Sequence, residues 1–98
     1  MTHEEGLERL EELRREIDKL DLRILELLNE RAGVVDILGA IKREIGLPIY
    51  EPKREDEVFQ NVLSRNGGPL TPGAVRRLFE RVIDEMRTLQ RERMEKKP

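Results

Sequence analysis

The stretch from Leu7 to Ile45 constrains the fold more than any other part of the chain. Its apolar residues recur at alternating steps of three and four, the heptad pattern of a long amphipathic helix. They are Leu10, Leu13, Ile17, Leu20, Ile24, Leu27, Val34, Leu38, Ile41 and Ile45. No proline interrupts the stretch, and Gly33 and Gly39 each cost only about 1 kcal/mol of helix propensity. The pattern therefore predicts one continuous helix.

Such a helix is too long for one small domain to cover. It would extend roughly 60 Å at 1.5 Å per residue. A compact domain of 98 residues should measure only roughly 30 to 35 Å across. We therefore expect a second chain to cover the helix, most simply in a two-fold homodimer.

Two shorter helices follow the long one. Gly46 suits a helix C-cap, and Pro52 suits the first position of a second helix. Asn66 to Pro69 form a strong turn signal, and Thr71 with Pro72 predicts an N-cap and the start of a third helix, which runs to about Met94. No strand pattern is present, so we expect a single all-α domain over residues 1–98, with residues 1–6 and 92–98 frayed.

Composition excludes several classes of function. Nineteen basic residues are offset by twenty-one acidic ones, which argues against bulk nucleic-acid binding. Without cysteine, disulfides and thiolate chemistry are excluded, and the single histidine, His3, argues against a histidine metal site. The N-terminus lacks the apolar run of a signal peptide or membrane span, so we expect a cytoplasmic protein that does not associate with membranes.

Basic residues occupy positions on the long helix that the heptad pattern turns inward. Arg31 stands where an apolar residue is expected, and Lys42 lies three turns later on the same face, roughly 16 Å away. Arg14 lies beside Leu13, roughly 25 Å before Arg31, too far to contact the same small ligand. In an antiparallel dimer Arg14 would reach the partner's site.

The two shorter helices add further polar candidates. Glu51, Arg54 and Glu55 share one side near the start of the second helix, and Gln90 lies one turn beyond Met86 on the third. A pocket combining these side chains with the basic residues of the long helix would be cationic and would suit a small di-anion.

Structural explanations remain open for each of these residues taken alone. A seam arginine can specify helix register or extend its charge to water, and Lys42 suits the C-terminal end of a helix dipole. Arg54 with Glu55 can form a solvated surface pair, and Gln90 can be an ordinary exposed residue.

Taken together, the positions resemble the all-helical chorismate mutases of the AroQ class, also called type II. The resemblance lies in Leu13 to Asp18, Leu27 to Arg31, Gly39 to Lys42, Tyr50 to Glu55, and Leu78 to Gln90. It covers almost the whole chain and matches several separated positions in order and spacing. It implies an intertwined three-helix homodimer that converts chorismate to prephenate, for phenylalanine and tyrosine, without a cofactor.

The resemblance also implies a role for each candidate. Arg14 of the partner chain, with Arg31 and Arg54, would clamp the two substrate carboxylates. Lys42 and Gln90 would hydrogen-bond the ether oxygen, so that Lys42, Gln90 and Arg31 are the candidate catalytic residues.

Two acidic residues and one methionine complete this implied site. Glu55 would bind the ring hydroxyl, assisted by Glu51, where other members of the family carry Asp. Met86 stands where members often carry a small polar residue that contacts a substrate carboxylate. These two departures are expected to alter affinity rather than abolish activity.

Two alternative functions remain compatible with the sequence. The first is an isochorismate-pyruvate lyase of the same fold, although Glu55 favours the mutase because the lyase relatives lack a carboxylate there. The second is a non-catalytic helical dimerisation or regulatory module. Either the enzyme or the module would fit association or fusion with another aromatic-pathway enzyme.

Overall fold

The structure is a computed structural model that describes residues 1–95. It contains three helices, α1 (His3–Ile45), α2 (Pro52–Arg65) and α3 (Pro72–Glu95). The described residues form no strand, and the predicted all-α class with one very long helix is confirmed. No helix of residues 1–95 contains the extended apolar run that a membrane-spanning segment requires. The chain divides into two compact units, Met1–Gly33 and a second unit that begins at Val34.

The first unit begins with a capped helix, and the expected fraying of residues 1–6 stays a prediction. The backbone N–H of Glu5 donates a hydrogen bond to the Thr2 hydroxyl at 3.1 Å, and Glu4 and Glu5 provide acidic charge in the first turn. Both features stabilise a helix N-terminus. Residues 3–6 are therefore helical.

The apolar face of the first unit is uncovered. None of residues 1–33 is buried. Eight large apolar residues of this part of α1 are between 46% and 62% exposed. They include five residues of the heptad pattern, Leu10, Ile17, Leu20, Ile24 and Leu27.

The second unit contains the buried core. Phe59 of α2 is buried, as are Val75, Ile83 and Met86 of α3. The guanidinium carbon of Arg76 lies 4.3 Å from the centroid of the Phe59 ring, which adds a cation–π contact between these two helices.

Local signals place the ends of α2 and α3. Pro52 begins α2, as predicted. The backbone N–H of Ala74 donates to the Thr71 hydroxyl at 3.1 Å, which confirms the predicted N-cap of α3. In the turn between the helices, the Asn66 amide donates to the Leu70 carbonyl at 2.7 Å.

The C-terminus of α1 is closed by a Schellman motif. Gly46 has a φ of 79°, which only glycine adopts without strain. The Leu47 N–H donates to the Lys42 carbonyl at 2.8 Å, and the Gly46 N–H donates to the Arg43 carbonyl at 3.4 Å. The predicted cap is confirmed, and the chain leaves the helix directly beside the last turn.

Helix α3 ends at Glu95, one residue beyond its predicted end near Met94. Fraying from residue 92 stays a prediction. The Nη2 atom of Arg93 lies 3.2 Å from Oδ2 of Asp36 in α1, which holds this part of α3. The rest of the segment expected to fray, residues 96–98, lies outside the described residues.

Candidate active site

Lys42 and Gln90 are buried polar residues. Their exposed fractions are 9% and 8%, and no other polar or charged residue is buried in the part whose side chains are described. A buried cation and a buried amide lower stability unless each finds a partner. Neither residue is therefore an ordinary exposed helix residue.

Lys42 contacts the connection between α1 and α2. Its Nζ atom lies 2.7 Å from a carboxylate oxygen of the half-buried Glu51 and donates a hydrogen bond to the Ile49 carbonyl at 3.1 Å. The Schellman motif turns the chain back toward Lys42 and makes these contacts possible. The structure thus brings together two predicted site residues, Lys42 and Glu51.

Gln90 of α3 packs over Gly39 of α1. A Cβ atom at Gly39 would lie 3.3 Å from Cγ of Gln90, a tight contact that would require the Gln90 side chain to shift by a few tenths of an ångström. Gly39 precedes Lys42 by three residues, about one helical turn. Lys42 and Gln90 therefore lie at neighbouring positions along the same side of α1.

The amide of Gln90 has unused hydrogen-bonding capacity. Its Oε1 atom is buried and has no hydrogen-bond partner. A surface pocket of about 250 Å³ opens beside it, lined by Val35, Asp36, Gly39, Ala40, Arg43, Gln90 and Arg93. A buried amide beside open space is suited to receiving a polar ligand.

Glu55 of α2 is paired with Arg87 of α3. The Nε atom of Arg87 lies 3.1 Å from Oε2 of Glu55, and its Nη2 atom donates to Oε1 at 3.4 Å. Arg87 was not among the site residues predicted from the sequence. Its position four residues after Ile83 and three before Gln90 places a basic residue on the inward face of α3, the same signal that singled out Arg31.

Arg54 and Arg14 make surface contacts within their own helices. Arg54 is exposed and forms an ion pair with Glu57 at 3.2 Å. Arg14, in the first unit, is also exposed and lies 2.8 Å from Glu11. A substrate contact of either guanidinium stays a prediction.

Arg31 and Met86 are less exposed. Arg31, also in the first unit, is half-buried. Met86 is buried and belongs to the apolar core of the second unit. A substrate contact of Met86 stays a prediction.

Comparison with known proteins identifies the family. The model of the family "Chorismate mutase type II" matches residues 13–91. A bifunctional chorismate mutase/prephenate dehydratase from Aquifex aeolicus is 39% identical over 89 residues, which cover 87% of this chain and 25% of that protein. The chain spans 21% of a second bifunctional relative, from Neisseria gonorrhoeae. It thus corresponds to about a quarter or less of these relatives' length.

Solved structures share the fold over most of their own length. Form II of the chorismate mutase from Thermus thermophilus aligns with a TM-score of 0.83 at 36% identity, covering 85% of this chain and 94% of that one. The chorismate mutase from Helicobacter pylori in complex with prephenate aligns with a TM-score of 0.86 at 31% identity, covering 93% and 99%. The match to the family model and these alignments agree that the chain belongs to the chorismate mutase type II family.

Proposed function

We propose that this protein catalyses the rearrangement of chorismate to prephenate. Membership of the family supports the reaction class. The observation that carries the proposal is that Lys42 of α1 and Gln90 of α3 are both buried, with Gln90 packed against α1 one turn before Lys42. The family resemblance assigns these two residues to the reacting ether oxygen.

The reaction requires little covalent chemistry from the protein. In this unimolecular [3,3] rearrangement the ether carbon–oxygen bond breaks while a carbon–carbon bond forms between the enolpyruvyl arm and the ring. No nucleophile or general base is needed. The protein must hold the arm over the ring, which can supply several kcal/mol of the barrier reduction.

Lys42 and Gln90 would stabilise the negative charge that grows on the ether oxygen. Donors fixed in a water-poor site are effective because they need no reorganisation as the charge develops, and removing one costs roughly 2.7 to 4 kcal/mol in other enzymes. Lys42 is held by Glu51 and Ile49, so its ammonium group is already oriented. Gln90 would present its amide N–H₂ group, which exchanges places with Oε1 by a rotation of the amide.

Arginines would bind the two substrate carboxylates. A planar guanidinium makes two parallel hydrogen bonds to a carboxylate, which lysine cannot do. We assign Arg31 and Arg54 of one chain and Arg14 of the other to this role. Arg54 would exchange its surface contact with Glu57 for the substrate.

Glu55 would accept a hydrogen bond from the ring hydroxyl of the substrate. Glu51, which contacts Lys42, would assist. Met86 would lie at the edge of the site, where it would add apolar contact instead of a hydrogen bond.

A second copy of the chain would complete the enzyme. The uncovered apolar face of the first unit supports a homodimer, because a contiguous exposed apolar surface marks an interaction site. The heptad spacing suits a helix of the same sequence packed against it. In that homodimer Arg14 would enter the site of the partner chain.

The cell would use such a site in the synthesis of phenylalanine and tyrosine, in the cytoplasm. The name of the Aquifex aeolicus relative pairs a chorismate mutase with a prephenate dehydratase, so an associated or fused pathway enzyme is compatible with this proposal. The substrate of this chain would remain the small molecule chorismate in either case.

Product analysis tests the proposal directly. The purified protein is incubated separately with chorismate and isochorismate, and the products are identified by NMR. Prephenate from chorismate supports the mutase. Pyruvate released chiefly from isochorismate indicates the lyase, and the absence of turnover by a folded dimer indicates a binding or regulatory module.

A further inference from the structure

Arg87 is held from three sides. Its guanidinium contacts both carboxylate oxygens of Glu55, and its Nη2 atom lies 2.9 Å from Oδ1 of Asp84. Its central carbon lies 5.3 Å from the centroid of the Tyr50 ring. Arg87 therefore connects α3 with α2 and with the connection that precedes α2.

The pair of Arg87 and Glu55 differs from surface ion pairs of the same helix. The two side chains are 25% and 20% exposed. Arg81 and Glu85 of α3, by contrast, lie 2.8 Å apart but remain 77% and 57% exposed. Water and salt screen a partly buried pair less than an exposed one, so the Arg87 contact restrains its carboxylate more firmly.

The carboxylate of Glu55 needs such a restraint to bind a hydroxyl group in one orientation. The terminal torsion of a glutamate side chain has a broad energy profile, so the carboxylate rotates readily. Each of its oxygens offers about two lone-pair directions. The Nη2 atom of Arg87 donates to Oε1. Its buried Nε atom lies 3.1 Å from Oε2 as an ion-pair contact without forming a hydrogen bond, so lone-pair directions on Oε2 remain for a ligand.

We propose that Arg87 is a positioning residue that orients the carboxylate of Glu55 toward the ring hydroxyl of the substrate. The inference rests on the proposed function of Glu55. Arg87 itself touches no substrate, and its contribution passes through Glu55. Asp84 and Tyr50 hold the guanidinium, so the fork shape of arginine matters as well as its charge.

Three variants of the full chain test the inference. Arg87→Met removes the donors but retains an unbranched side chain, and Arg87→Lys retains the charge without the fork. Arg81→Met is the matched control on the same helix. We expect Arg87→Met to lower kcat/KM for chorismate about tenfold, mainly through a higher KM, since the hydroxyl contact is made in the ground state and in the transition state. Arg87→Lys should fall between Arg87→Met and the wild type, and Arg81→Met should match the wild type.

A double-mutant cycle separates positioning from a general structural role. In a Glu55→Ala background, Arg87→Met should change kcat/KM less than about twofold, because the carboxylate that Arg87 orients is absent. An equal loss in both backgrounds would overturn the inference. Wild-type kcat/KM in both Arg87 variants would overturn it as well, while an inactive wild-type protein would instead overturn the proposed function.

Discussion

The Nζ atom of Lys42 lies 2.7 Å from a carboxylate oxygen of Glu51, across the six-residue connection that follows Ile45. The lysine is buried, and the carboxylate gives its charge a partner in a place where an unpaired cation would be costly. The pair also fixes the direction of the ammonium group. One contact thus serves both the stability of the connection and the orientation of the donor.

Replacing Lys42 should remove activity without removing the fold. We expect Lys42→Ala to lower kcat about 100- to 1,000-fold, because a fixed donor to the ether oxygen is lost. Chorismate consumption followed by ultraviolet absorbance measures the effect. Lys53→Ala, at an exposed position of α2, is the control and should retain wild-type kcat. Equal activity of Lys42→Ala and wild type would contradict the assignment of Lys42 to the ether oxygen.

Gly39 should be required for the position of Gln90. A methyl group at Gly39 would displace the Gln90 side chain, whose Cγ atom lies 3.3 Å from the Cβ position. We expect Gly39→Ala to lower kcat about tenfold to a hundredfold, since small misplacements near a reacting group are costly.

Two controls define this effect of Gly39. Gly33→Ala raises the helix propensity by the same amount as Gly39→Ala. A Cβ atom at Gly33 would meet nothing within 4 Å, so the kcat of this variant should be unchanged. In a Gln90→Ala background, Gly39→Ala should cause no further loss of kcat, because the side chain that it obstructs is absent. An equal loss of kcat in the Gln90→Ala background would show that Gly39 acts independently of Gln90.

Two inactive variants should restore activity when combined, if the site is shared between chains. In a mixed dimer of Arg14→Ala and Arg31→Ala, one site contains both arginines and the other contains neither. Refolding equal amounts together should give about a quarter of wild-type activity for random pairing in a two-fold dimer. Each variant refolded alone is the control, and no recovery in the mixture would place both arginines in the same chain's site.

Gly46 should contribute stability through its backbone conformation. Gly46→Ala forces a residue with a side chain into a φ of 79°, and we expect a loss of about 1 to 2 kcal/mol in the free energy of unfolding. Urea denaturation measures it. Gly67→Ala, at another glycine whose Cβ would meet nothing and whose φ is not positive, should lie within about 0.5 kcal/mol of the wild type.

Local features of the fold were predictable from the sequence. Gly46, Pro52 and Thr71 act on the residues next to them, so their types alone indicate where helices end and begin. Thr2 and Glu5 also form a capping-box pattern, and the early start of α1 was readable from it although it was not predicted.

Contacts between distant residues were harder to predict. Glu55 and Arg87 are separated by 32 residues, and their pairing depends on how α2 and α3 pack. The fit of Gln90 over Gly39 likewise depends on packing between helices. Periodicity assigns a side chain to a face but does not choose its partner among the residues that share that face, so the pairing of Arg87 with Glu55 could not be predicted in this way.

The uncovered face of the first 33 residues has a consequence for how the protein behaves on dilution. A helical segment in which none of residues 1–33 is buried draws its tertiary stability from whatever binds it. If that partner is a second copy, folding of this segment and association become a single event, and its population follows protein concentration by mass action. Specific activity would then depend on enzyme concentration, and a chain newly released from the ribosome would complete its fold only on meeting another.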